Sequence, residues 1–592
     1  MKARTVQALE LSVLGLAVAI RALGLWSYHQ TDFADFPMVD AFTYWDQTQK
    51  LLAGQDPFAE GFYQPPGYPF VLAILARLTG GADLLVVHLS QALMGVLTTG
   101  LLILLGRRVV PQGLAPWAGA AAGLVYTLYP STLLFEQDLL TPALTCLLST
   151  GALALLWGGE RGVPSPLPAA LAGLLLGLAV VVHPTYLIAA LGLIAWLAWR
   201  GLREAPPAWP RSLLALGVAL GLALAPTAWL NATKYDQPAL VSHNSGLNFY
   251  LGNNLDWRET MFLRPGLPFR RLVLQAEPDK RDVAARNDYW WQRAREELGG
   301  RWASVASILG TKALWSINDV EVPRNEDYRC RTDDGPMSWI ARLPLRYGLV
   351  LPFALIGAVA LSRRGGPGRM IPLSWAALHL PLVLFLVADR YRLATWPLIS
   401  LASAAGLSEL GRLVQSLRAG RPGSKAWLLL LPLLPLPFLP IDARTAYDPA
   451  WCLHVDGNLA LMKGEREQAA ELYREAMALD PEDWGARDFL ARTLAEQGED
   501  AQAIALMEPL LDWFPDHYPS LYFQARQYEK TGQLDLAAET MGRAWRVPGE
   551  RTSTGVRYVR LLARAGRKAE GRAVVAAAPE LQGHPGLEGV LD

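Results

Sequence analysis

Residues 167–199 read LPAALAGLLLGLAVVVHPTYLIAALGLIAWLAW and contain no Asp, Glu, Lys or Arg. A membrane-crossing helix needs about 20 mostly apolar residues, because every backbone amide must be satisfied internally in the hydrocarbon. The dipeptide His183-Pro184 divides this stretch into two apolar segments, 167–182 and 185–199. The stretch therefore predicts two neighbouring membrane spans.

Comparable apolar segments recur through the first 440 residues. The whole chain is 52% hydrophobic and only 18% charged, which is unusual for a soluble protein. We predict eleven spans, at 9–28, 84–105, 114–133, 139–157, 167–182, 185–199, 213–230, 345–361, 371–388, 393–410 and 427–441. Arg21 follows the first apolar run where a signal peptide would carry small residues, so we expect a retained helix there.

Positive charges are sorted along the chain in a way that predicts an orientation. Excess Lys and Arg marks the cytoplasmic loops of membrane proteins. With a cytoplasmic N-terminus, the loops on that side carry Arg107, Arg108, Arg161, Arg200, Arg203, Arg211, Arg363, Arg364, Arg369, Arg412, Arg418, Arg421 and Lys425. The long segments 28–83 and 231–342 and the C-terminal region then lie outside, as expected for a bacterial inner-membrane protein with periplasmic or extracellular domains.

A second pattern begins after residue 442. Glycines recur every 34 residues at Gly464, Gly498, Gly532 and Gly566, and alanines follow five positions later at Ala469, Ala503 and Ala537. This period is that of tetratricopeptide repeats, in which paired helices stack into a solenoid. We predict an all-α chain: a polytopic helical bundle over 1–442, then an α-solenoid over 450–592. The solenoid would bind a protein partner on its concave surface, or serve only as a stabilising appendage.

Composition and motifs argue against several classes of function. Lys plus Arg equals Asp plus Glu at 54 each, and no nucleic-acid-binding motif is present, so we expect no nucleic-acid partner. Neither a phosphate-binding GxxxxGK[ST] loop nor a DxD motif occurs, which disfavours an ATP-driven transporter or a nucleotide-sugar enzyme. No cofactor is assigned, and use of a divalent cation stays open.

The three cysteines lack the spacing of a metal site. Cys146 lies in an apolar run, which predicts a buried thiol. Cys330 and Cys452 both fall in segments predicted to lie outside, so a bridge between them is left open.

The first exported segment contains the strongest candidate for a catalytic acid. In FPMVDAFTYWDQ, residues 36–47, Asp40, Tyr44 and Gln47 share one face of a predicted helix. The segment continues to YQPPGYPFVLAIL, residues 63–75, and a later stretch reads VADRYRLATWPLISLASAAG, residues 387–406. An aspartate and tyrosine followed by a PPGYP-type segment, with a late RYRLP-type segment, resembles the GT-C superfamily of membrane glycosyltransferases.

The likeness is to protein O-mannosyltransferases and aminoarabinose transferases of that superfamily, and it covers roughly residues 1–440. It implies transfer of a sugar from a polyprenyl-phosphate donor to a protein or glycan acceptor, with Asp40 as the base. Ala41 departs from the mannosyltransferase pattern, in which a second acid follows the aspartate. That departure argues against a mannosyltransferase identity.

The resemblance also implies roles for other residues. Arg390 and Arg392 would bind the leaving phosphate, since guanidinium groups match phosphate oxygens and stay charged. Tyr44, Glu136 and His183 would contact the substrate. Each of these residues also has a possible structural role without a function in the reaction. These roles are a loop acid or helix cap for Asp40, interfacial anchoring for the arginines, a helix cap for Glu136 and a polar residue at the membrane boundary for His183.

Two other functions stay open at the level of sequence. An O-antigen ligase or polymerase is also polytopic and uses lipid-linked glycans, but it would place an essential arginine and histidine in a late exported loop. A non-enzymatic membrane scaffold would act through its repeats alone and would tolerate substitution of Asp40.

Overall fold

The computed structural model describes residues 3–110, 115–157, 163–204, 208–276, 282–325, 327–333, 335–419, 434–442, 447–549 and 551–592. Every regular element within these residues is a helix, which confirms the all-α prediction. The chain divides into two compact units, Met1–Leu263 with Arg281–Tyr447, and Arg264–Lys280 with Asp448–Asp592. Part of the second predicted exported segment thus belongs to the unit that contains the repeats.

Helices are numbered along the chain. The first unit contains α1 (Ala3–Tyr28), α2 (Val39–Leu52), α3 (Gly67–Thr79), α4 (Leu84–Val109), α5 (Ala118–Thr127), α6 (Pro130–Gln137), α7 (Pro142–Leu156), α8 (Pro166–Val182), α9 (Tyr186–Glu204), α10 (Trp209–Thr233), α11 (Ser245–Gly252), α12 (Trp257–Met261), α14 (Val283–Leu298), α15 (Trp302–Ser316), α16 (Arg329–Thr332), α17 (Ser338–Ala341), α18 (Tyr347–Arg364), α19 (Met370–Leu384), α20 (Asp389–Arg392) and α21 (Trp396–Arg418). The second unit contains α13 (Leu267–Val273), α22 (Pro449–Lys463), α23 (Arg466–Leu479), α24 (Trp484–Glu496), α25 (Asp500–Trp513), α26 (Tyr518–Lys530), α27 (Leu534–Arg546), α28 (Thr552–Arg564) and α29 (Lys568–Ala577).

Several helices of the first unit suit a membrane. Among the described residues, five are long and apolar enough to cross it, namely α1, α4, α9, α10 and α18. Large apolar side chains on these helices face outward, including Leu11, Leu93, Leu222 and Trp229. Exposed large apolar side chains that recur along long apolar helices are suited to contact with lipid. The chain is therefore an integral membrane protein.

The prediction of eleven spans exceeds the number of helices that reach spanning length. A sixth span results only if α5 and α6 are joined, although they meet at a bend of 57°. The bend occurs where Pro130 begins α6, because proline cannot donate the hydrogen bond that would continue α5. The apolar helices α7 and α8 are 15 and 17 residues long, and residues 427–433 of the predicted span 427–441 lie outside the described residues.

Small residues let the helices of the first unit pack closely. A Cβ at Gly357 in α18 would lie 1.7 Å from the carbonyl oxygen of Ala402, and one at Gly406 in α21 would lie 1.9 Å from that of Phe353. The two backbones are therefore in direct contact, as is common between membrane helices. The contact lies in the first half of α21, which begins after the short 3-10 turn Leu393–Thr395 that follows α20.

The second unit contains the repeats as predicted. Helices α22 to α29 form four successive pairs. Gly464, Gly498, Gly532 and Gly566 lie between the two helices of each pair with φ from +78° to +89°, a backbone conformation that glycine adopts without strain. Ala469, Ala503 and Ala537 are fully buried where the paired helices approach. The 34-residue spacing thus reflects the turn and the close contact in each pair.

Candidate active site

Asp40 lies in the first turn of α2, immediately after a strained residue. Val39 has a φ of +50°, which is rare for any residue with a β-branched side chain. Such strain costs free energy and is found most often at functional sites, where the surrounding fold holds it in place. The local backbone therefore marks the start of α2 as a candidate site independently of any motif.

The Asp40 carboxylate forms an ion pair with Arg390 of α20, 350 positions away along the chain. Arg390 Nη1 donates to Asp40 Oδ2 at 2.5 Å. Asn325 Nδ2 donates to the same oxygen at 2.6 Å, and Gln64 Nε2 donates to Oδ1 at 3.3 Å. The candidate acid and one candidate phosphate-binding arginine are thus in direct contact.

A small cavity of about 20 Å³ adjoins this ion pair. It is lined by Met38, Val39, Asp40, Ala41, Phe135, Asp138, Leu140, Asn325, Asp389 and Arg390. This volume has room for a water molecule but not for a sugar. A substrate could therefore enter only after the side chains around Asp40 and Arg390 move.

Two acids of this cavity were not among the predicted site residues. Asp138 Oδ1 accepts a hydrogen bond from Arg331 Nη1 at 2.5 Å, and the Arg331 guanidinium lies over the ring of Phe33. Asp389 precedes Arg390 and is almost fully buried. Asp138 lies two positions after Glu136, and Asp389 lies in the segment VADRYRLATWPLISLASAAG, residues 387–406. Only their position beside Asp40 distinguishes them from the other acids.

Tyr44 lies one helical turn after Asp40, as the shared face of α2 predicts. Its ring packs edge-on against Tyr68 of α3, with centroids 5.2 Å apart. Burial, together with the nearby Asp40, raises the pKa of the Tyr44 phenol above its ordinary value. The phenol is therefore protonated at neutral pH and available as a hydrogen-bond donor.

Arg392 faces a different environment from Arg390 although only one residue separates them. Its Nη2 lies 2.5 Å from Glu321 Oε2, and Nη1 donates to the Asn318 carbonyl at 2.5 Å. The guanidinium also stacks over the ring of Tyr347 at 3.9 Å. Arg392 is buried and does not line the cavity. The structure therefore brings only Arg390 to Asp40.

The carboxylate of Glu136 is likewise already paired with another side chain of this protein. Arg21 of α1 donates to both of its carboxylate oxygens, at 2.7 Å from Nε and 2.9 Å from Nη2, and Tyr126 donates at 3.2 Å. Both charged side chains are buried. Glu136 does not line the cavity, whereas Asp138 two positions later does.

His183 ends α8 and lies on the Arg390 side of the site. Its Nδ1 is 2.7 Å from the Thr185 hydroxyl, and its ring meets that of Tyr391 with centroids 5.6 Å apart. Burial and the positive charge of Arg390 lower the pKa of His183 to about 4. The imidazole is therefore neutral near pH 7 and acts as a polar group there.

Within the described ranges, no group of three or more His, Cys, Asp or Glu residues is arranged to hold a metal ion.

Comparisons with known proteins by sequence match the repeat region. The family model for the tetratricopeptide repeat matches residues 460–527. A mouse protein, interferon-induced protein with tetratricopeptide repeats 3, is 32% identical over 84 residues, which make up 14% of this chain and 21% of that protein. The chain thus spans about a fifth of the length of this curated relative.

Solved structures are similar to this chain at low identity. The archaeal oligosaccharyltransferase AglB from Archaeoglobus fulgidus, in complex with an inhibitory peptide and a dolichol-phosphate, is 16% identical with a TM-score of 0.41 over 76% of this chain and 58% of that chain. MamA from Desulfovibrio magneticus RS-1 is 17% identical with a TM-score of 0.21 over 29% of this chain and 93% of that chain. Together with the matching family model, the helix pairs α22 to α29 identify a tetratricopeptide repeat region in this membrane protein.

Proposed function

We propose that this protein is a membrane glycosyltransferase of GT-C type, which transfers a sugar from a polyprenyl-phosphate donor to an acceptor outside the cytoplasm. The observation that carries the proposal is the direct contact between Asp40 and Arg390. A reaction with a phosphate leaving group needs a base for the acceptor hydroxyl and a cation for the phosphate, and this contact brings one of each to a single cavity. The residues resemble the GT-C motifs, which supplies the reaction class.

The proposed reaction is a direct displacement. An Asp40 oxygen takes the proton of the acceptor hydroxyl while the acceptor oxygen bonds to the anomeric carbon. The bond between that carbon and the phosphate oxygen breaks, and its electron pair leaves with the polyprenyl phosphate. Because the acceptor attacks the face opposite the leaving group, the anomeric configuration is inverted.

Arg390 has capacity to bind the departing phosphate. Its Nη1 bonds to Asp40, its Nη2 donates to the Tyr391 hydroxyl at 2.9 Å, and its buried Nε has no hydrogen-bond partner among the described residues. A donor phosphate would compete with Asp40 for this guanidinium. The base would then be released from its ion pair only when the donor is bound, and the small cavity would enlarge at the same step.

The exported orientation and the partners also belong to the proposal. Arginines in alternate loops support a cytoplasmic N-terminus in a bacterial inner membrane. The lipid-exposed helices would hold the polyprenyl chain, and the repeats would select a protein acceptor or another protein partner outside.

The test is a comparison of glycans in a deletion strain complemented with matched levels of wild-type, Asp40→Asn or Asp46→Asn protein. Asp46 is a suitable control because it lies on the same helix, half-exposed and paired with Lys50 at 2.6 Å. We expect Asp40→Asn to abolish one glycan of the cell envelope and Asp46→Asn to preserve it. Full rescue by Asp40→Asn would reject Asp40 as the base and favour the ligase or scaffold alternatives.

A further inference from the structure

Asp389 is a buried acid on the wall of the cavity that no step above uses. It is 3% exposed, and its Oδ1 accepts the backbone N–H of Arg390 at 2.6 Å. Its backbone N–H donates to the Val322 carbonyl at 3.0 Å, which fixes the residue against the neighbouring segment. Its Oδ2 is buried and has no hydrogen-bond partner within the part of the chain that the structure describes.

An unpaired carboxyl oxygen in such a place costs free energy unless something binds it. The adjacent Arg390 does not neutralise it through a side-chain bond, because its guanidinium pairs with Asp40 and Tyr391. The cavity beside Asp389 is the space that a ligand of Arg390 would enter. The oxygen is therefore positioned for a group that arrives with the substrate.

We propose that Asp389, in its neutral carboxylic acid form, donates a hydrogen bond from Oδ2 to a phosphate oxygen bound by Arg390. The inference rests on the proposed function, since it assigns a second contact to the phosphate of the polyprenyl donor. A phosphate oxygen only accepts hydrogen bonds, so a neutral acid attracts it and a carboxylate repels it. Asp389 would thus be a binding residue that makes the site selective for a phosphate.

The electrostatic surroundings of Asp389 support the neutral form. Asp389 lies between the predicted spans 371–388 and 393–410. Burial raises the pKa of its carboxyl well above its usual range, and the negative charges of Glu321 and Asp327 raise it further, against the opposing charge of Arg390. The charged and titratable groups around it are Asp40, Asp138, Arg390, Glu321, Asp327 and Tyr328. Three of these acids form ion pairs of their own: Asp138 with Arg331, Glu321 with Arg392, and Asp327 with Arg329.

The experiment measures binding of sugar-free polyprenyl phosphate to the full chain in lipid nanodiscs, for wild-type, Asp389→Asn and Asp389→Leu protein. Asparagine keeps a neutral donor of the same size, and leucine removes it. We expect Asp389→Asn to bind within about twofold of wild type and Asp389→Leu to bind about tenfold or more weakly, the effect of losing one hydrogen bond to a charged group. Thermal unfolding of each variant separates this loss from misfolding.

The pH dependence gives a readout that a structural role would not produce. Wild-type affinity should fall as the pH rises through the raised pKa of Asp389, because the carboxylate that forms repels the phosphate. Asp389→Asn should lack this alkaline loss. Equal affinities of the asparagine and leucine variants, or an alkaline loss that persists in Asp389→Asn, would overturn the inference.

A second arm with inorganic phosphate distinguishes the source of the ligand. If the variants rank in the same order with both probes, the site recognises the phosphate group itself; if they do so only with the polyprenyl probe, it recognises the lipid-linked form. Absence of wild-type binding to either probe would reject the proposed donor together with this inference. If Asp40→Asn leaves transfer intact while the Asp389 variants rank as expected, the assigned base is wrong and the phosphate contact stands.

Discussion

Arg21 and Glu136, 115 positions apart, form a two-pronged ion pair in which both side chains are buried. Gly95 makes this pair fit, because a Cβ at that position would lie 2.2 Å from Arg21 Nε. The pair neutralises two charges that would otherwise be costly among apolar helices. It assigns Glu136 a structural contact in place of the helix cap considered from the sequence.

Replacing Glu136 with Gln should destabilise the protein by about 3–5 kcal/mol, because Arg21 would be left as an unpaired buried charge. Replacing both residues with Met should recover much of that loss. Thermal unfolding of the purified chain in detergent measures the effect, and Gly95→Ala should act in the same direction. A double variant that is stable but inactive would instead assign Glu136 to the substrate.

The two arginines of α20 should respond differently to substitution. Arg390→Ala should weaken polyprenyl phosphate binding about tenfold or more, through loss of a charge-assisted hydrogen bond. Its unfolding temperature should change less than that of Arg392→Ala, because Asp40 is partly exposed and keeps its hydrogen bonds to Asn325 and Gln64. Arg392→Ala should lower the unfolding temperature, because Glu321 would be left buried without its partner. Equal losses of donor affinity at unchanged stability would show that Arg392 also contacts the phosphate, as the resemblance implies.

His183 should not act as a cation toward the donor. Its pKa of about 4 keeps the imidazole neutral over the interval from roughly pH 5.5 to 8, which begins about 1.5 units above that value. His183→Gln should therefore keep donor affinity within about twofold and leave its pH profile over that interval unchanged. A loss comparable to that of Arg390→Ala would contradict this expectation.

The segment that contains α13 should contribute to the stability of the repeats. Leu267 is buried in a cluster with Leu490, Leu494 and Leu510 of the same unit. Leu267→Ala should lower the free energy of unfolding of this unit by about 2 kcal/mol or more. Leu536→Ala, at an exposed position, should lower it by about 0.5 kcal/mol or less. Hydrogen exchange of peptides from α24 and α25 in the full chain measures the difference; equal protection in both variants would disprove it.

The repeat unit should lose stability in mild acid through His517. Burial lowers the pKa of this imidazole from its ordinary 6.5 to about 4, and its Nδ1 is 2.7 Å from the Ser520 hydroxyl. Between these values the unfolded chain binds a proton that the folded chain does not, so the free energy of unfolding falls as the pH drops from about 6.5 toward 4. His517→Asn should flatten this slope in pH-dependent unfolding; an unchanged slope would assign it to other groups.

Local patterns in the sequence were sufficient to predict the architecture. The 34-residue spacing of Gly464, Gly498, Gly532 and Gly566 predicts the repeats because each pair of helices repeats the same local turn. Apolar segments predict the helices of the first unit because hydropathy and helix geometry depend on neighbouring residues. The sequence predicted one continuous span at 114–133, whereas the structure bends there by 57° at Pro130, between α5 and α6.

Some features of the candidate site can be predicted from short stretches of sequence, and others cannot. Asp40 and Arg390 were found from short motifs, since each lies in a recognisable segment. Their contact, and the arrival of Asn325, Asp138 and Asp389 at the same cavity, depends on elements that are distant along the chain. The amino-acid sequence alone therefore determined the helices, the repeats and the candidate residue types. Only the tertiary structure decided that Arg392 and Glu136 bind other side chains and that Asp389 lines the cavity. The reason is that ion pairing and burial depend on distances in space, which no local spacing along the chain specifies.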